Sequence, residues 1–175
     1  MKSIFLLLIY FLAITEIRSQ SKLNIVLTQE HRLIKDSKVF IIPPENFRLL
    51  LDLMGYANNE TGAHFSVIQS YKSFTSIKSH LSEKYLRGKE YKIIEMKRFR
   101  MNKLSAYWYE LENQFMDRTT IKYILIIGNK HEHAMIEAYC PKEHQLANIA
   151  LRKSLFTVYY DIDSISIKKV KLLQN

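Results

Sequence analysis

The chain has 175 residues, 47% of them hydrophobic and 25% charged, with 4 Gly, 3 Pro and a single cysteine. That is the length of one domain plus a short extra segment, enough to bury a core without staples; the scarcity of Gly and Pro argues against a long flexible linker, and one cysteine excludes an intramolecular disulfide. A net charge of +9 favours anionic partners such as lipid head groups, polyanionic glycans or acidic proteins.

Residues 1–20 read as a secretory signal peptide. Lys2 precedes an apolar run over residues 4–14, too short for a good membrane span, and small or polar residues follow, with cleavage expected between 15 and 20. Lys2 and Arg18 against Glu16 remove only about one positive charge, so the mature domain stays basic. The expected location is periplasmic or extracellular, and the mature chain is expected to be soluble, with no transmembrane segment. Export argues against nucleic acid as a partner and points to an envelope or extracellular protein, or an anionic surface.

Residues 21–37 form a leading segment of mixed character with at most a short strand. Lys38 to Pro44, "KVFIIPP", is a β-branched strand stopped by a proline pair. The stretch "FRLLLDLMGYANNETGAHFSVIQSY" reads as two strands around a turn; its Asn59-Glu60-Thr61 also matches a glycosylation acceptor, taken here as turn chemistry. "SFTSIKSHLSEKYLRG" reads as a helix capped by Ser73, with Phe74, Ile77, Leu81 and Tyr85 on one face and Gly88 as the stop. Four strands follow, over residues 91–101, 104–115, 121–127 and 134–140. "IKYILII" is apolar on both faces, as in a strand covered on both sides. In "AMIEAYC", Ala134, Ile136, Ala138 and Cys140 share a face, which reads Cys140 as an inert core residue. Pro141 opens a second helix from 142 to about 156, with Leu146, Ala147, Ala150, Leu151 and Ser154 as its inward stripe. Residues 162–175 read as a further strand or a tail.

The order strands, helix, four antiparallel strands, helix predicts an α+β fold with an antiparallel sheet and helices on its faces. Over residues 38–161 this order resembles the PsbP-like family, as found in small secreted bacterial proteins. The matching pieces are "PPENF", "MGY", "GAHFSVIQ", "SFTSIKSHL", the long meander, the hairpin "IIGNKHEHAMIEAYCP" with Gly128 and Pro141 in place, and "IALRKSLFTVYYD". The resemblance implies an α/β/α sandwich, a central antiparallel sheet flanked by helices. It also implies binding and assembly work rather than catalysis, as in a photosystem extrinsic subunit or chaperones for secreted toxins. It carries no catalytic residues and no cofactor.

Four constellations carry chemistry. His131 and His133 flank Glu132, and with His144 they form a candidate metal set; the competing reading is a polar hairpin turn. Lys97, Arg98, Arg100 and Lys103 concentrate charge around Phe99, with eight Lys or Arg and two Glu between Lys84 and Lys103. Such a patch tracks phosphate or anionic lipid, or protects a solvated strand edge. Glu110 with Glu112, and Asp161 with Asp163, are paired acids that read as solvated charge. Tyr107, Tyr109 and Leu111 oppose Trp108 on their strand, so one of those faces is core. No nucleophile elbow, metalloprotease helix or phosphate-binding glycine loop is present, so the chain reads as a non-enzymatic binding or accessory protein. A metal-binding protein or metalloenzyme using His131, His133 and His144 is the alternative.

Overall fold

A computed structural model describes residues 21–50, 54–89, 91–115 and 117–162. The expected signal peptide (1–20), most of the C-terminal segment and Asp163 lie outside these residues. Among the described residues strands dominate, at 49%, and build an eight-stranded mixed sheet and a three-stranded sheet.

In chain order the strands are β1 (Lys22–Leu23), β2 (Arg32–Leu33), β3 (Val39–Ile41), β4 (Arg48–Leu50), β5 (Gly55–Asn58), β6 (Ala63–Ser70), β7 (Lys92–Met101), β8 (Leu104–Phe115), β9 (Arg118–Gly128), β10 (His133–Pro141) and β11 (Tyr159–Tyr160). The helices are α1 (Glu83–Gly88) and α2 (Gln145–Leu155), with a 3-10 helix over Phe74–Leu81. The large sheet runs β1-β7-β8-β9-β10-β6-β5-β4, antiparallel throughout except where β1 joins β7 in parallel. The small sheet runs β11-β3-β2.

Alternation along the strands gives the large sheet two buried faces. On the front, Trp108, Leu125, Ile136 and Val67 lie in one cross-strand row, and β3 (Val39, Ile41) and α2 (Leu151, Leu155) pack over them. On the back, Tyr109, Leu111, Ile124 and Ile126 lie under Phe74, Leu81 and Leu86. β9 therefore sits between two cores, which is why its apolar run is unbroken.

This corrects the expected α/β/α sandwich. The sheet is mixed, and on the front a three-stranded sheet shares the second layer with the single helix α2. On the back, a 3-10 helix and one six-residue α-helix stand where a single long helix was expected. The reason is local. "SFTSIKSHLS" is rich in Ser and Thr, whose hydroxyls compete with helical hydrogen bonds. Ser73 accepts from the Thr75 N–H, and Ser82 turns extended (φ −65°, ψ 149°) and caps α1 afresh by accepting from the Tyr85 N–H. The restart shifts the helical phase, so Leu86 turns inward while Tyr85 is 46% exposed. In α2 the inward stripe is Leu151, Ser154 and Leu155, whereas Leu146 is 84% exposed.

The leading segment is tied to the main body. The N–H of Asn102, at φ 53° in the β7–β8 turn, donates to the Leu23 carbonyl at 2.7 Å, and its side-chain oxygen accepts from the Ile25 N–H at 2.8 Å. His31 reaches the Thr157 carbonyl through Nε2 at 2.9 Å, and Ile34 is fully buried in the front core. Among the described residues no helix is long and apolar enough to cross a membrane.

Candidate functional site: the outer strand β7

The histidine trio is not assembled. Among the described residues no group of three His, Cys, Asp or Glu is placed to hold a metal. His131 and His133 stand at the start of β10 and His144 beyond its end, so the nine-residue strand separates them by roughly 27 Å. The turn itself is a structural knot. Asn129 Oδ1 accepts from the N–H groups of His131 (2.7 Å) and Glu132 (3.0 Å), an Asx turn. His133 is buried and donates from Nδ1 to the Lys72 carbonyl at 2.8 Å. Glu132 is buried too, and both its oxygens accept from Lys38 Nζ at 2.9 Å, which ties the hairpin to the small sheet. His131 is exposed, and His144 is the residue preceding α2.

The acid pairs resolve differently from their spacing. Glu110 lies directly across from Glu95 on β7, not in partnership with Glu112. Arg152 of α2 bonds Glu95 at 2.9 Å and Glu110 at 3.3 Å, and Trp108 donates its indole N–H to Glu95 at 3.0 Å. A hydrogen bond from Lys97, supported by Arg152, holds Glu95 below the usual carboxylate range, while burial raises Glu110. Two cations on two carboxylates make a neutral clamp between α2 and the sheet. Glu112 is occupied separately by Lys142 (2.6 Å) and Lys92 (3.4 Å). Asp161 is buried.

The basic cluster is split by the pleat. Lys97 lies on the front face and is spent on Glu95. Arg98 and Arg100 project from the back, both exposed, with the Arg98 guanidinium 5.7 Å from the Tyr107 ring centre. Lys103 is exposed at the β7–β8 turn, and Lys22 of β1 is the register neighbour of Arg100. Among the described residues Arg98, Arg100, Lys103 and Lys22 form no ion pair with a carboxylate.

The backbone beside them is unpaired as well. β1 meets β7 only at Arg100 and Met101, so among the described residues the outer edge is open over 92–99. The N–H groups of Arg100 and Asn102 point outward, donating to Ser21 and Leu23 at 3.1 and 2.7 Å. In a strand every second residue repeats that direction, so Met96 and Arg98 turn both N–H and C=O outward. A register shift between Ile93 and Glu95 ends this regular stretch. Ile94 and Met96, 46% and 47% exposed, add an apolar rim. Sequence spacing located the cations; Lys22 and the open edge become visible only once β1 is placed.

The aromatic strand is core on both faces at its centre. Trp108 is fully buried against Tyr123 and Phe156, and Tyr109 is 3% exposed. Cys140 is buried, and burial pushes its thiol up to about 11.

No family model matches the chain, and no curated protein matches it. A solved structure from Bacteroides thetaiotaomicron VPI-5482 is similar in fold, with a TM-score of 0.50 and 10% identity, covering 78% of this chain and 50% of that one. The likeness bears on the fold alone, and the match spans half the length of that protein.

Proposed function

We propose that the protein is an exported, non-catalytic binding protein that holds an acidic partner segment along β7. The observation that carries this reading is an edge of β7 unpaired over 92–99 that bears Arg98 and leads to Arg100 beside β1 and Lys103 in the next turn, none of the three engaged by a carboxylate among the described residues. Such an edge accepts an extended peptide through main-chain hydrogen bonds, and side chains at alternate positions set the specificity. β1 already uses the edge in this way at Arg100 and Asn102. The cations favour a segment rich in Asp and Glu and supply a salt-sensitive association rate. The basic start and short apolar run of the sequence support export, which N-terminal sequencing of the mature protein tests directly.

The binding test is titration of a labelled Asp/Glu-rich peptide by fluorescence anisotropy against the mature protein and the variant Arg98→Glu, Arg100→Glu, Lys103→Glu. The reading expects at least a tenfold weaker affinity in the variant and weakening of the parent with added salt. Equal affinity in the two proteins sinks it. Pelleting with phosphatidylserine vesicles but not with the peptide would move the function to a membrane surface.

A further inference from the structure

The back face holds a second feature, away from the basic end of β7. Beyond the cover of α1, a hollow of about 340 Å³ opens over the far ends of β8, β9 and β10. Its lining includes His64, Tyr91, Asn113, Thr120, Lys122 and Tyr139. Register places His64, Tyr139 and Lys122 side by side in one row across β6, β10 and β9, with Thr120 next along β9.

The row is braced. The His64 and Tyr139 rings stack at 5.2 Å, with 20° between their planes. Lys122 Nζ lies 4.8 Å from the Tyr139 ring centre and 5.8 Å from that of Tyr91, which hangs from the end of α1 by its N–H to the Leu86 carbonyl. Glu137 fixes the ammonium at 2.9 Å and also accepts from the Tyr139 hydroxyl at 3.2 Å. Burial would pull the Lys122 ammonium down; the Tyr139 hydroxyl and Glu137 together outweigh it and hold it charged. The aromatic walls are thus immobilised around an ion pair with no net charge.

We propose that this hollow binds a neutral sugar ring of the pyranose type. Three properties of the lining select that chemistry. An ion pair already closed on itself offers no net charge to attract a charged ligand. A purely apolar ligand would strip water from Asn113, Thr120 and His64 without replacing its hydrogen bonds, which opposes its binding. His64 donates Nδ1–H to the Gly62 carbonyl at 3.1 Å, which leaves Nε2 as the other hydrogen-bonding atom of the ring, and among the described residues the side chains of Asn113 and Thr120 have no hydrogen-bond partner. A pyranose meets all three: its C–H groups pack against the tyrosine rings that His64 and Lys122 hold in place, and its rim hydroxyls donate and accept toward amide, hydroxyl and imidazole. The volume falls within the ordinary range of small-molecule sites, about 300–1,000 Å³.

The experiment is saturation-transfer NMR on the mature protein with a panel of methyl pyranosides, gluco, galacto, manno and N-acetylglucosaminide, beside indole and adenine as flat controls. The expected result is transfer to the ring C–H protons of at least one pyranoside. It should fall at least fivefold in Asn113→Ala, a rim change that leaves the core untouched, and in Tyr139→Phe, which keeps the ring and removes the hydroxyl that braces Glu137. Silence from every pyranoside, transfer unchanged in Asn113→Ala, or transfer to indole or adenine in place of the sugars would overturn the proposal. The β7 variant should bind the same pyranoside as the parent, which separates this site from the partner-binding reading.

Discussion

Gly55 shows how closely single residues are constrained. It lies on β5 where the chain runs against β6, and a Cβ there would fall 1.8 Å from the Phe65 carbonyl oxygen. Backbone has no far end to swing aside, so Gly55→Ala should lose about 3 kcal/mol in urea unfolding. An unchanged midpoint would mean that β5 lifts away freely. Gly128 is held in the same way by its approach to Glu132 and His133, where a Cβ would fall 2.4 Å from the Glu132 carbonyl oxygen. Trp108 is the converse case, a large side chain with no exposed surface between the sheet and Phe156. Trp108→Ala should lose about 3–5 kcal/mol through the cavity it leaves and the partner it removes from Glu95. Calorimetry would show this as a large drop in Tm.

Between elements, the hairpin turn at Asn129–Glu132 does the joining. Lys38 and Glu132 pin the small sheet to the β9–β10 hairpin, and the Phe74 N–H donates to the Asn129 carbonyl at 2.9 Å, starting the 3-10 helix from the same turn. Glu132 is nearly buried and Lys38 partly so, which places the pair between the surface and interior limits. Glu132→Gln should cost about 1–2 kcal/mol, and Lys38→Met in that background should recover part of it. A double-mutant cycle with no coupling would reduce the pair to surface decoration. The turn's position was legible in "GNKHEH", because Gly and Asn between two apolar runs signal a reversal. Its burial was not, since that depends on β3 and the 3-10 helix closing over it.

For the whole molecule, pH connects the two cores. Burial pushes Tyr109 on the back and Tyr160 on the front up to about 12, and Cys140 up to about 11. Each is neutral when protonated, and the unfolded chain releases these protons at lower pH than the folded one. The folded state therefore holds more protons across the window, and stability falls as pH rises from about 9 toward 12. The measurement is urea unfolding at successive pH values, with tyrosinate absorbance recorded alongside. Tyr71 and Tyr85 are exposed and contribute tyrosinate in any case; absorbance that matches the unfolded chain's at each pH, without unfolding, would show the buried rings to be solvated. Cys140 should likewise resist an aromatic disulfide reagent at pH 8 until denaturant is added.

Periodicity and punctuation alone placed the four long strands, the second helix, the inert face of Cys140 and the opposition of Trp108 to Tyr107 and Tyr109. These are local properties: side chains alternate at period two, and Gly, Asn and Pro stop elements wherever they stand. The second layer was a tertiary decision. Of its strands only β3 was legible, in "KVFIIPP"; β2 and β11 are two residues long, below the length at which alternation gives a signal, and they are strands only because β3 sits beside them, as β1 is only because β7 does. The long helix expected after Ser73 failed because its propensity was too weak to resist capping by Ser82. The candidate sites divide in the same way. Sequence spacing found Arg98, Arg100 and Lys103, and the sheet took Lys97 away to Glu95 and added Lys22. Glu95 with Glu110, and Lys122 with Tyr139 and His64, are pairings across strands, so only the register that lays one strand against the next brings them together.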